Sequence, residues 1–121
     1  MQFYVFLSTG FKGETKETME WHRQFTEVYV REELESLRDD EDEVIIVDNF
    51  DFVSTKEHPR QAKLETYGSA LSKMAFCDIF VLLKEYDGSI KPGCMLELNA
   101  WLAAGGQQPI IRNKISYEDH Q

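Results

Sequence analysis

Four short apolar runs, held apart by stretches of helix length, constrain the fold of this chain more than anything else in it. Residues 3–7 read Phe-Tyr-Val-Phe-Leu, 44–47 Val-Ile-Ile-Val, 79–83 Ile-Phe-Val-Leu-Leu and 109–111 Pro-Ile-Ile. These runs do not alternate with polar residues and are rich in β-branched and aromatic side chains, the pattern of strands buried on both faces. Antiparallel neighbours need only a tight turn, whereas helix-length connections imply crossovers and a parallel sheet covered on both sides. The order is βαβ-αβ-αβ, and right-handed crossovers leave few topologies, favouring the first and third strands side by side at the centre. The expectation is one doubly wound, flavodoxin- or Rossmann-like α/β domain over residues 1–121, with a parallel sheet of four to five strands.

The connections carry helical periodicity. Residues 15–38 lack Pro and Gly and set Trp21, Phe25, Val28, Leu34 and Leu37 along one broad side, predicting a long helix that starts near Glu14 or Thr15. The stretch 49–60, with Asp51, Ser54 and Pro59, reads as a loop. Leu64, Tyr67, Leu71, Met74 and Ala75 then recur at helical spacing, which assigns Tyr67 to the core, with reach into the crevice beyond the strands as the alternative. A third helix over 94–104 is closed by Gly105-Gly106. Trp21 and Trp101 lie on helical stripes and are expected in the core or at a subunit contact. Residues 112–121 are polar and read as a loose tail or an arm onto a neighbouring subunit.

Charge narrows the partners. Asp and Glu number 22 against 13 Lys and Arg, for a net charge of −9. Residues 32–43 alone hold eight acids against one base, Arg38. Such a field repels duplex nucleic acid, and no basic stripe counters it. The run reads as a solvated helix end, with a docking patch as the alternative. No apolar run nears the roughly 20 residues of a membrane span, and the first residues lack the basic start and cleavage site of a secretory leader. Cys77 and Cys94, both beside expected core, suit reduced thiols and a cytoplasmic location. His22, His58 and His120 have no partners at metal-ligand spacing, so no metal is expected, and no cofactor either. His22 is assigned to the exposed side of the first helix, His58 to the turn before Pro59. The segment 10–16 follows a strand but lacks the ending of a phosphate loop, and no G-x-G-x-x-G occurs.

In an open parallel sheet, ligands bind beyond the carboxyl ends of the strands, where strand order reverses. That place gathers Ser8, Thr9, Gly10 and Phe11 after the first strand, the loop 85–92 after the third, and the start of the third helix at Gly93-Cys94-Met95-Leu96-Glu97. Glu97 is the only carboxylate between Asp87 and Glu118, in an otherwise apolar helix. A Glu in a first turn ordinarily serves the helix dipole. Flanked by core residues and opening into the expected crevice, it also has the chemistry of a nucleophile or of a stabiliser for a sugar cation. Cys94, near the same helix start, reads as a small apolar filler rather than a reactive thiolate. Asp78, which opens the third strand, reads as a turn cap.

The segment 74–83, the polar loop after it, Gly93-Cys94-Met95-Leu96-Glu97 with the apolar helix that follows, and Pro109-Ile110-Ile111 together resemble the nucleoside 2-deoxyribosyltransferase superfamily. Tyr4-Val5-Phe6-Leu7-Ser8-Thr9-Gly10 is similar to that family's first strand and glycine loop. The resemblance implies a doubly wound fold, a homo-oligomer, and cleavage or transfer at the N-glycosidic bond of a nucleoside or nucleotide. Under it Glu97 matches the nucleophile that attacks C1′. Ser8, Thr9, Gly10 and Phe11 match the loop lining the base or sugar pocket. Asp87 and Ser89 belong to a loop closing over the ribose, with Ser89 and the Gly93 and Cys94 amides as candidate phosphate donors. The family's acid in the second helix corresponds to Ala70 here, and its first-strand Tyr to Phe6. Those differences leave open a non-catalytic nucleotide-binding relative, and the acidic run leaves open a protein-interaction module.

Overall fold

The computed structural model describes residues 1–37 and 41–116. Three positions of the acidic run (38–40) and the end of the tail (117–121) therefore lie outside the described residues. The elements are β1 (Gln2–Thr9), α1 (Lys16–Glu33), β2 (Glu43–Val47), α2 (Pro59–Met74), β3 (Ile79–Lys84), α3 (Pro92–Ala103) and β4 (Ile110–Asn113). All strand pairs are parallel, in the order β2-β1-β3-β4. The expected α/β fold is thus observed with four strands, and β1 and β3 hold its centre.

Burial on both faces explains the unbroken apolar runs. Side chains alternate across a strand, so Val5, Leu7, Ile79, Val81 and Leu83 pack with Met19 and Val30 of α1. Phe6, Phe80 and Leu82 point the other way, into a second core with Ala70 and Met74 of α2 and Cys94, Leu98 and Trp101 of α3. The chain moves outward from β1 to β2, then returns across β1 to β3. Strand order therefore reverses between β1 and β3, and their carboxyl ends open a crevice there.

Four expectations on the helices need correction: the end and inward face of α1, and the start and inward face of α2. α1 starts as expected, with Thr15 and Thr18 exchanging hydrogen bonds in a capping box, but it stops at Glu33, before most of the acidic run. Its inward stripe is Met19, His22, Thr26 and Val30, while Val28 is 47% exposed. Polar residues can face inward here because each has a partner; the Thr26 hydroxyl, for example, donates to the His22 carbonyl at 2.7 Å. α2 begins at Pro59, capped by His58, whose Nδ1 accepts from the Arg60 amide at 3.2 Å. Only Ala70 and Met74 of α2 enter the core, and Leu64 is 60% exposed.

At the end of α3, Gly105 takes the left-handed conformation expected of a C-terminal glycine (φ 78°). Gly106 lies so close under Trp101 that a Cβ there would collide with the indole. Trp101 is buried in the core, and Trp21 donates to the Ile115 carbonyl at 3.1 Å. The supposed tail is strand as far as Asn113, and the next residue, Lys114, is buried. Asp78 accepts from the Tyr4 amide at 3.1 Å and so ties the start of β3 to β1, at the end of the sheet away from the crevice.

Candidate functional site

The crevice is a cleft of about 180 Å³ lined by Phe6, Leu7, Thr9, Gly10, Phe11, Asn49, Thr66, Tyr67, Lys91, Gly93, Cys94 and Glu97. That is below the roughly 300–1,000 Å³ of sites enclosing a drug-sized ligand.

Glu97 stands in the second turn of α3 and accepts a 2.6 Å hydrogen bond from the Ser8 hydroxyl. β1 aims that hydroxyl across the sheet because Ser8 shares its face with Phe6, toward α2 and α3. Burial pushes the Glu97 carboxyl above its ordinary value, and the Ser8 bond only partly offsets this. Among the described residues Ser8 is its one hydrogen-bond partner. Burial likewise pushes the Cys94 thiol up to about 11, so it is a protonated filler of the wall rather than a thiolate.

Six of the expected binding residues gather around Glu97: Ser8, Thr9, Gly10, Phe11, Gly93 and Cys94. The Thr9 hydroxyl is spent on the Leu83 carbonyl at 3.0 Å. Gly10 is required by close approach, since a Cβ there would come within 2.8 Å of both the Glu85 carboxylate and Lys91 Cγ. Asp87 and Ser89 are not part of the lining. They sit on an exposed turn, where the Ser89 amide and hydroxyl both donate to Asp87 Oδ1 at 2.9 and 2.7 Å, and those bonds hold the Asp87 carboxyl low.

Asn49, Thr66 and Lys91 are lining residues that the sequence does not single out as a site, and Tyr67, whose spacing favours the core over the crevice, lines the cleft as well. Asn49 is buried and bonded at both ends of its amide, accepting from Ser69 at 2.9 Å and Lys73 at 2.8 Å and donating to the Thr66 carbonyl at 3.1 Å. It joins the end of β2 to α2. Its place just beyond the second strand, at the ligand end of the sheet, was the available signal.

A second cluster of charge lies on the α1 side of β1, and it corrects two assignments. His22 is buried rather than exposed, its Nε2 3.1 Å from Glu14. Lys114, with a side chain 0% exposed, bridges Glu14 and Glu85 at 3.0 Å each and donates to the Gly10 carbonyl at 2.8 Å. Burial alone would raise Glu14, but hydrogen bonds from Thr18 and Lys114 and the charges of His22 and Lys114 overcome it and hold the carboxyl below its usual range. Burial lowers His22 against the pull of Glu14. This network fastens the loops after β1, β3 and β4 to one another behind the cleft.

Among the described residues no group of three His, Cys, Asp or Glu side chains is arranged to hold a metal ion, and no helix is long and apolar enough to cross a membrane. No protein-family model, curated protein or solved structure matches this chain, so the chemistry of the cleft is argued from its own residues.

Proposed function

We propose that the cleft cleaves or transfers at the N-glycosidic bond of a nucleoside or nucleotide, with Glu97 as the nucleophile at C1′. The observation that carries this reading is the Glu97 carboxylate itself: half-buried, raised, and oriented by one short bond from Ser8 at the mouth of a small cleft. An elevated carboxylate is a stronger nucleophile once ionised, and a carboxylate beside C1′ stabilises the developing oxocarbenium charge. Water then releases the sugar in a hydrolase, or a second base takes it in a transferase. The amides at the start of α3, at Gly93 and Cys94, suit a 5′-phosphate if the substrate carries one.

The same reading includes assembly with like chains, supported by Met95, Leu96 and Leu102 exposed along the largely apolar α3. It includes a cytoplasmic setting, supported by two unpaired cysteines. A non-catalytic nucleotide-binding protein is the second reading, favoured by the cleft having a single carboxylate among its described lining residues. The test is mass spectrometry of free base released from ribo- and deoxyribonucleosides and their monophosphates, with Glu97→Gln alongside. Release by wild type and not by the variant is the expected result. No release across the panel, with ligand-induced thermal stabilisation intact, would establish the binding reading instead.

A further inference from the structure

A base leaving C1′ takes the bonding electron pair with it, and an unactivated base leaves as an anion unless a proton arrives at the same time. Glu97 cannot deliver that proton while its own electron pair forms the bond to C1′. The other ionisable side chains lining the cleft are Lys91, Tyr67 and Cys94. Cys94 is buried in the wall among core side chains. Lys91 is exposed at the N-cap of α3, its stem lying against Gly10. Tyr67 differs from both. Its ring is half-buried against the first turn of α3, with Cε1 3.5 Å and the hydroxyl 3.9 Å from where a Gly93 side chain would begin. Among the described residues no protein group bonds its hydroxyl.

Gly93 and Glu97 are one helical turn apart, on one side of α3. Helical side chains lean toward the N-terminus, so the Glu97 carboxylate reaches back over the turn that Tyr67 covers. The nucleophile and the phenol thus border the same small space from two different helices. Glycine at 93 leaves that space open between them.

Resting on the reading of Glu97 as nucleophile, we propose that Tyr67 is the catalytic acid for the leaving base. As a Glu97 oxygen bonds to C1′, the C1′–N bond breaks, its electron pair goes to the base nitrogen, and the phenolic proton passes to the base. In the second half-reaction a water gives its hydroxyl to C1′ and its proton to the tyrosinate, while the bond from C1′ to Glu97 breaks and its electron pair returns to the carboxylate, restoring both groups. The substrate class is therefore a nucleoside or nucleotide with an ordinary, unactivated base.

The test compares kcat/KM for a purine nucleoside and its N7-methyl derivative, whose cationic base departs neutral without a proton, in wild type, Tyr67→Phe and Glu97→Gln. The Phe variant keeps the ring against Gly93, and its melting midpoint serves as the folding control. Tyr67→Phe should lose about 10²- to 10⁴-fold on the parent nucleoside and less than about 10-fold on the N7-methyl substrate, while Glu97→Gln loses both. Equal loss on both substrates, or none on the parent, overturns the role of Tyr67 and leaves that of Glu97 standing. No turnover of either substrate by wild type overturns both.

Discussion

Glu14, with its side chain buried, and the half-buried Glu97 are two carboxylates flanking the carboxyl end of β1, on opposite faces of the sheet, and their acidities shift in opposite directions. Glu14 meets Thr18, His22 and Lys114 and is held low. Glu97 meets Ser8 alone among the described residues and is held high. The difference is compensation. A buried ion surrounded by donors and countercharge is part of the scaffold, whereas one left with a single donor keeps free energy that a ligand or a reacting centre can release. The two are coupled through Gly10, whose carbonyl is gripped by Lys114 and whose Cα edge lies in the cleft. The Glu14 side thereby shapes the cleft on the Glu97 side.

The largest break in this comparison comes from Lys114→Met. It leaves Glu14 and Glu85 buried without their shared cation, and urea unfolding should show a loss of about 3–5 kcal/mol; a loss under about 1 kcal/mol would mean that the network is not structural. Ser8→Ala acts on the other side. Removing a hydrogen bond to a charged group forfeits about 1.5–3 kcal/mol of interaction with the ionised form. Carbon-13 titration should therefore find the Glu97 carboxyl higher still, with Glu14 unmoved.

The pH dependence of stability sharpens the contrast. Glu14 and His22 are both depressed in the folded protein, so the stability they supply is present above their unfolded values. It should drain away as pH falls below about 6.5 for His22 and below about 4.5 for Glu14. Glu97 has the opposite sign: its raised value costs stability above 4.5 and nothing below. Glu97→Gln should therefore be more stable than wild type at pH 7, with the gain vanishing near pH 4. A gain that grew as the solution became more acid would reverse the assignment. Smallest is Val28→Ser on the outer side of α1, expected within about 0.5 kcal/mol of wild type. A core-sized loss there would restore the helix face that hydropathy suggested.

Val28, set beside the strands, shows where the sequence is legible and where it is not. The strands at the centre of the sheet are readable because burial on both faces writes a continuous apolar run, as in residues 79–83 of β3. Glu97 is readable because it is a lone carboxylate in an apolar helix at the ligand end of such a sheet. The inward face of α1 is not, because His22 turns inward to meet Glu14, which Lys114 in turn holds from far along the chain. Lys114 itself looks like tail charge until β4 carries it under the loops. Tyr67 resembles core on spacing alone, and only the way α2 lies across the start of α3 turns its ring toward the cleft.

The central claim, that the uncompensated carboxylate is the reacting one, is tested most directly by trapping it. Brief incubation with 2′-fluoroarabinosyl nucleosides, whose fluorine slows release of the bound sugar, should add the mass of one fluorosugar to wild-type protein. Peptide mapping should place that mass on Glu97, with none on Glu97→Gln. Base released with no adduct on Glu97, or an adduct on another residue, would contradict the account.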